Sequence, residues 1–245
     1  MNILFKILFT LFNFILFACG NNLSIDSISY SKVDIIGPSD SNFSNIIKVY
    51  KDSINLKDPV IGKSENLFTK DDFDKVNFNS SLGNLIADII YHQADSVFKA
   101  QYEKNIDFVL QNHGGIRASL LKGDIKISDA YKILPFENEL VVVEIGYKTL
   151  TDLINFLKKE SNPHPISGLK INSDGNFEVF KKSNSENYFL VTNDYLLSGG
   201  DNMFFLQDNY NIYKLGYSLR DAFINFTKKE KNITSKVDSR FIKSE

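Results

Sequence analysis

The sequence predicts an α+β fold, a single mixed-sheet domain with helices. Helical and strand-like stretches alternate along the chain, but without the even spacing of a doubly wound fold, and no internal repeat is visible. Residues 41–56 (SNFSNIIKVYKDSINL) carry apolar residues at helical spacing, with Ser41 as a candidate cap. DPVIGKS then turns the chain into a short extended piece. Residues 79–100 hold the strongest helical pattern, with Leu82, Leu85, Ile86, Ile89, Ile90 and Val97 on one face and Ser80 or Ser81 as the cap. IDFVL reads as a strand, ISDAYKIL as a short helix, ELVVVEIG (139–146) as a strand and TLTDLINFLKK (149–159) as a helix. After a loop marked by NPHP, the stretches GLKI, FEVF and YFLVTN read as strands, and LRDAFINFTKK closes the pattern as a helix.

Composition bounds the function. The chain has 245 residues, 43% of them hydrophobic, and a net charge of −2. Its bases are mostly Lys, spread without a stripe beside aromatics, so nucleic acid is not an expected partner. The first stretch, MNILFKILFTLFNFILFACG, has Lys6 as its only charge and an apolar run too short for a comfortable membrane span; it reads as a signal peptide over 1–18. Leu16-Phe17-Ala18-Cys19 resembles a bacterial lipobox and holds the only cysteine of the chain. That resemblance implies acylation at Cys19, a lipid-anchored tether over 19–40, a domain over 41–245, and a membrane-anchored protein in the periplasm or at the cell surface.

Three loops at the ends of predicted elements could carry chemistry: NHGGIR (112–117), LPFENEL (134–140) and YLLSGGDN (195–202). In the first, Gly114 and Gly115 let a ligand approach the backbone, Arg117 offers a planar fork of donors suited to phosphate or carboxylate, and Asn112 offers a donor and an acceptor. In the third, Asp201 follows a glycine pair and can accept from two ribose hydroxyls. Phe136 and Tyr195 are compatible with stacking on a flat base. Each loop taken alone is better accounted for by a glycine turn, an Asx turn or a core aromatic than by a ligand.

Taken together, the loops resemble the C-terminal, substrate-binding domain of the 5′-nucleotidases and UDP-sugar hydrolases. SLGNLIADII, QNHGGIR, ISDAYKILPFENELVVVEI, ISGLKI and VTNDYLLSGGDN follow that family's motifs in order, and the likeness runs from about 41 to 235. The resemblance implies roles: Arg117 on the substrate phosphate, Asn112 near base or phosphate, Gly115 in the loop's close approach, Phe136 and Tyr195 sandwiching the base, Asp201 on the ribose hydroxyls, and Asn138 and Gly168 lining the base pocket. The family commonly has Phe where Tyr195 stands. A further arginine common near SLGNL is missing here, Asn202 replaces a common glycine, and Glu137 sets a negative charge beside Phe136.

In that family, catalysis belongs to a metallophosphatase domain with two metal ions, which needs several ligands converging around metals about 3.5–4 Å apart. This sequence has only His92, His113 and His164, and no D-x-H or G-N-H-E stretch. The expectation is no cofactor in this chain, no catalytic residue, and no hydrolysis by the chain alone. The chain would bind nucleotide or nucleoside and serve a separate metallophosphatase subunit that holds the divalent metals. The alternative is a surface interaction protein on a decayed nucleotidase scaffold.

Overall fold

The computed structural model describes residues 40–243 apart from 57 and 184. The expected signal peptide, Cys19 and all but the last residue of the expected tether lie outside the described residues. The chain divides between Val49 and Tyr50, and the second unit, from Tyr50 on, is compact. Helix α1 (Ser41–Leu56) starts under Asp40, whose carboxylate accepts from the amides of Asn42 and Phe43 at 2.8 and 3.4 Å, so Asp40 rather than Ser41 is the capping side chain.

The second unit runs β1 (Val60–Ser64), α2 (Ser81–Tyr102), β2 (Phe108–Leu110), β3 (Gly123–Lys126), α3 (Ile127–Ile133), β4 (Glu139–Ile145), α4 (Tyr147–Lys159), β5 (Ile166–Ser167), β6 (Leu169–Ile171), β7 (Phe177–Val179), β8 (Tyr188–Asn193), α5 (Asp194–Leu197), β9 (Asn211–Ser218), α6 (Leu219–Glu230) and β10 (Asn232–Ile233). The main sheet has the order β5-β2-β8-β4-β9 and is mixed: β2 pairs β8 parallel, whereas β5–β2, β8–β4 and β4–β9 are antiparallel. Two small sheets, β10-β1-β3 and β6-β7, flank it. This is the α+β, mixed-sheet fold that the sequence predicts.

Strand alternation explains why helices cover both faces. Along β4, Leu140 and Val142 enter one hydrophobic cluster, and Val141, Val143 and Ile145 enter the other. The first cluster is closed by α2 through Leu82, Leu85, Ile86, Ile89 and Ile90, and by α6 through Phe223. The second is closed by α4 through Leu150, Leu153, Ile154 and Leu157. Helix α2 starts at Ser80, whose hydroxyl accepts from the Gly83 amide at 3.2 Å. Among the described residues, no helix is long and apolar enough to cross a membrane.

Topology brings the three loops to one end of the main sheet. Because β2 and β8 are parallel neighbours, the segments that follow them, 111–117 and 194–202, leave at the same end. Because β4 is antiparallel to β8, with Leu140 opposite Asn193, the segment before β4 also lies at that end. The pairing of these three strands is therefore enough to make the loops converge.

Candidate functional site

A cavity of about 360 Å³ opens at this end of the sheet, lined by Asn112, Gly114, Arg117, Phe136, Asn138, Tyr195 and Asp201. Its volume falls within the ordinary range for small-molecule sites. Six of the eight binding residues expected from sequence line it. Gly115 sits in the same turn without lining the cavity. Gly168 lines a separate cavity with Asp88 and Arg240. Its φ of +75°, and the 2.6 Å from a would-be Cβ to the Asp107 carbonyl, tie it instead to the close backbone approach against β2.

The NHGGIR loop is built around Asn112, which is buried. A Cβ on Gly115 would stand 2.8 Å from Asn112 Oδ1, so the glycine makes room for the amide it folds over. Asn193, at the end of β8 and fully buried, holds this amide from the neighbouring strand: its Nδ2 donates to Asn112 Oδ1 at 3.2 Å and to Gln111 Oε1 at 2.8 Å. The Oδ1 of Asn193 accepts from the Leu196 amide at 2.9 Å and so caps α5, the short helix that carries Tyr195. One side chain thus ties two of the three loops together. Arg117 is exposed, and its Nη1 reaches the Gly114 carbonyl at 3.3 Å. Among the described residues, it is the arginine with no carboxylate partner; Arg220 pairs with Glu137, and Arg240 with Asp88 and Asp238.

In the third loop, Tyr195 Oη donates to Asp201 Oδ1 at 2.7 Å and accepts from the Asp201 amide at 3.3 Å. The bond to the carboxylate raises the phenol above its usual pKa. Asp201 has a φ of +50°, an uncommon left-handed conformation for a residue with a side chain, which turns its carboxylate back toward the ring. Gly200 admits this, since a Cβ there would lie 2.5 Å from Tyr195 Cε1. Phe136 and Tyr195 are 48% and 42% exposed, and neither ring pairs with another aromatic among the described residues. They are cavity walls, not core.

Two supporting residues were missed from sequence. Asn193 is one. Arg220, on α6, is the other: its Nη1 donates to the carbonyls of Leu134 and Pro135 at 3.2 Å each, its Nη2 reaches Glu137 Oε1 at 3.2 Å, and it lies over the Tyr131 ring at 4.1 Å. It braces the loop that carries Phe136 and answers the negative charge of Glu137. An arginine on an otherwise amphipathic helix was the only signal available.

The three histidines do not make a metal centre. His92 stacks on Phe226, while His113 sets Nδ1 against the Pro163 carbonyl at 3.3 Å and is absent from the cavity lining. Burial pushes the pKa of His164 down to about 4. Among the described residues, no group of three or more His, Cys, Asp or Glu could hold a metal ion, so the side chains present do not fit the two-metal centre of the resembled family. Larger cavities exist, and each holds an ion pair among its lining residues. One of about 560 Å³ is lined by Lys132 and Asp129, which are 2.9 Å apart.

Residues 60–180 match the family model described as 5′-nucleotidase, C-terminal domain. This segment resembles the C-terminal domain of the 5′-nucleotidases. Tyr195 and Asp201 lie beyond the matched residues. An apyrase from Tabanus yao is 27% identical over 181 residues, covering 63% of this chain and 33% of its own length. The trifunctional nucleotide phosphoesterase protein YfkN of Bacillus subtilis is 25% identical over 202 residues, 73% of this chain and 13% of the relative. The crystal structure of a 5′-nucleotidase precursor from Thermus thermophilus shares the fold with a TM-score of 0.64 at 23% identity, covering 82% of this chain and 43% of that one. The chain therefore spans a third or less of these curated relatives. The part it matches by sequence is the segment 60–180, similar to the C-terminal domain of 5′-nucleotidases, and the likeness of fold extends over 82% of the chain.

Proposed function

We propose that this protein is a nucleotide- or nucleoside-binding lipoprotein, the substrate-binding half of a 5′-nucleotidase-type system in nucleotide catabolism or salvage. One juxtaposition carries the proposal: a guanidinium without a carboxylate partner among the described residues, two half-exposed aromatic rings and a carboxylate line a single cavity of about 360 Å³. Those groups match the three parts of a nucleotide. Arg117 takes the phosphate through charge-assisted hydrogen bonds. Phe136 and Tyr195 offer ring faces to the base. Asp201 accepts from the ribose, and Asn112 and Asn138 supply amide groups at the rim. Hydrolysis is assigned to a separate metallophosphatase subunit that brings the divalent metals, and the lipid on Cys19 holds the protein to a membrane.

Calorimetry of the full chain against AMP, UMP, UDP-glucose and adenosine tests the proposal. Saturable binding of nucleotides is expected, with no phosphate released by the chain alone when Mg, Mn, Zn or Co is added. Absence of binding to all four compounds would leave the surface-interaction alternative standing.

A further inference from the structure

We propose that the Tyr195 hydroxyl relaxes the site's discrimination between ribose and 2′-deoxyribose, so that the substrate class includes 2′-deoxynucleotides. This rests on the nucleotide reading above. Among the described residues, Asp201 is the only carboxylate lining the cavity. A carboxylate that grips a vicinal diol gives one oxygen to each hydroxyl. Here Oδ1 already accepts a short bond from Tyr195 Oη at 2.7 Å, and the same phenol oxygen accepts from the Asp201 amide at 3.3 Å. The two residues form a closed clip.

Local geometry holds the clip in place. The ring lies against Gly200, where a Cβ would stand 2.5 Å from Cε1 and 2.6 Å from Cζ, and the φ of +50° at Asp201 aims the carboxylate at the hydroxyl. Oδ2 accepts from no side chain or amide among the described residues. A sugar arriving at this carboxylate therefore meets one unoccupied oxygen and one that already carries a charge-assisted bond. A single hydroxyl takes Oδ2. The second has to share Oδ1 with the phenol or displace it, and gains little either way. A sugar that lacks the second hydroxyl loses correspondingly little. Phenylalanine at this position would fill the same space and leave both oxygens to the sugar.

The test is a set of titrations of the full chain with AMP and UMP and their 2′-deoxy counterparts. In the wild-type protein, each ribo–deoxyribo pair is expected to differ in Kd by less than about threefold, and in Tyr195→Phe by about tenfold or more in favour of ribose. The widening should vanish when Tyr195→Phe is made in an Asp201→Ala background, which ties it to the carboxylate rather than to altered stacking. A ratio that is the same in the wild type and Tyr195→Phe, with all compounds bound, overturns the inference and leaves the nucleotide reading intact. A wild-type ratio of about tenfold or more also overturns it. Failure of the wild-type chain to bind any of the four compounds removes the nucleotide reading and this inference together.

Discussion

The guanidinium of Arg220 lies 3.2 Å from the carboxylate of Glu137, although the first side chain is 9% exposed and the second 88%. The charge on the loop is answered from inside the protein, by a group that also donates to the carbonyls of Leu134 and Pro135. Phe136 stands between the residues so held. The clamp converts a proline-bearing loop into a fixed wall of the cavity.

Arg220→Ala should lower both the melting temperature and nucleotide affinity. Two carbonyls lose their donor, at a cost of about 1–3 kcal/mol each where burial denies them water. Arg220→Lys keeps the charge but not the planar fork, so stability should recover further than affinity. Wild-type affinity in a folded Arg220→Lys protein would detach this residue from the site.

Phe136→Ala should weaken nucleotide binding about tenfold or more, since base–aromatic stacking contributes roughly 1–3 kcal/mol. The ring is 48% exposed, so its loss leaves no sealed core cavity and the melting temperature should hardly move. A large thermal loss with unchanged affinity would reassign Phe136 to the fold.

Arg117→Ala should separate nucleotides from nucleosides. The side chain makes only a 3.3 Å contact with the Gly114 carbonyl, so truncation costs the fold little. AMP should lose affinity and adenosine should not, because the guanidinium addresses the phosphate. Equal losses for both compounds would move Arg117 away from that role.

His164 should make stability fall with acidification before the carboxylates titrate. Burial lowers its pKa from 6.5 to about 4, so between those values the unfolded chain binds a proton that the folded one refuses. Stability then rises with pH across this window, and about 3 kcal/mol is lost on descending through it. His113, also pushed down by burial, acts in the same direction. Melting curves of the wild type and His164→Gln from pH 7 to 4 check this; an equally steep acid limb in both would refute it.

Cys19→Ser should release the protein from membranes or block its processing, as the lipobox-like Leu16-Phe17-Ala18-Cys19 requires. Variant protein that still fractionates with membrane at the wild-type mass would refute lipid attachment there.

The long elements were legible because burial writes periodicity into them. Helix α2 shows its face through Leu82, Leu85, Ile86, Ile89 and Ile90, all of which are buried. Strand β9 was not read: it is the edge of the main sheet, only Leu215 in it is buried, and Gly216 at a φ of +62° interrupts its alternation. The site showed the same division. Arg117, Phe136, Tyr195 and Asp201 were marked by glycines, a proline and motif order, and they share one cavity. Arg220 was not marked, and Asn193 stood in the VTNDYLLSGGDN motif without a role, because a residue that supports a neighbour some 80 positions away leaves no local pattern of its own. Gly168 went to another cavity because a glycine's backbone need looks the same whether a ligand or a strand lies beside it.

The parallel pairing of β2 with β8 joins Phe108 to Leu190 and Val109 to Val191. The cavity therefore exists only once chain segments some 80 residues apart have met. Two fragments divided in the intervening stretch, for instance at the turn between β6 and β7, could each carry a complete loop and still bind nothing until mixed. Recovery of ligand binding on mixing would then report strand association directly, as a reconstitution assay that needs no label.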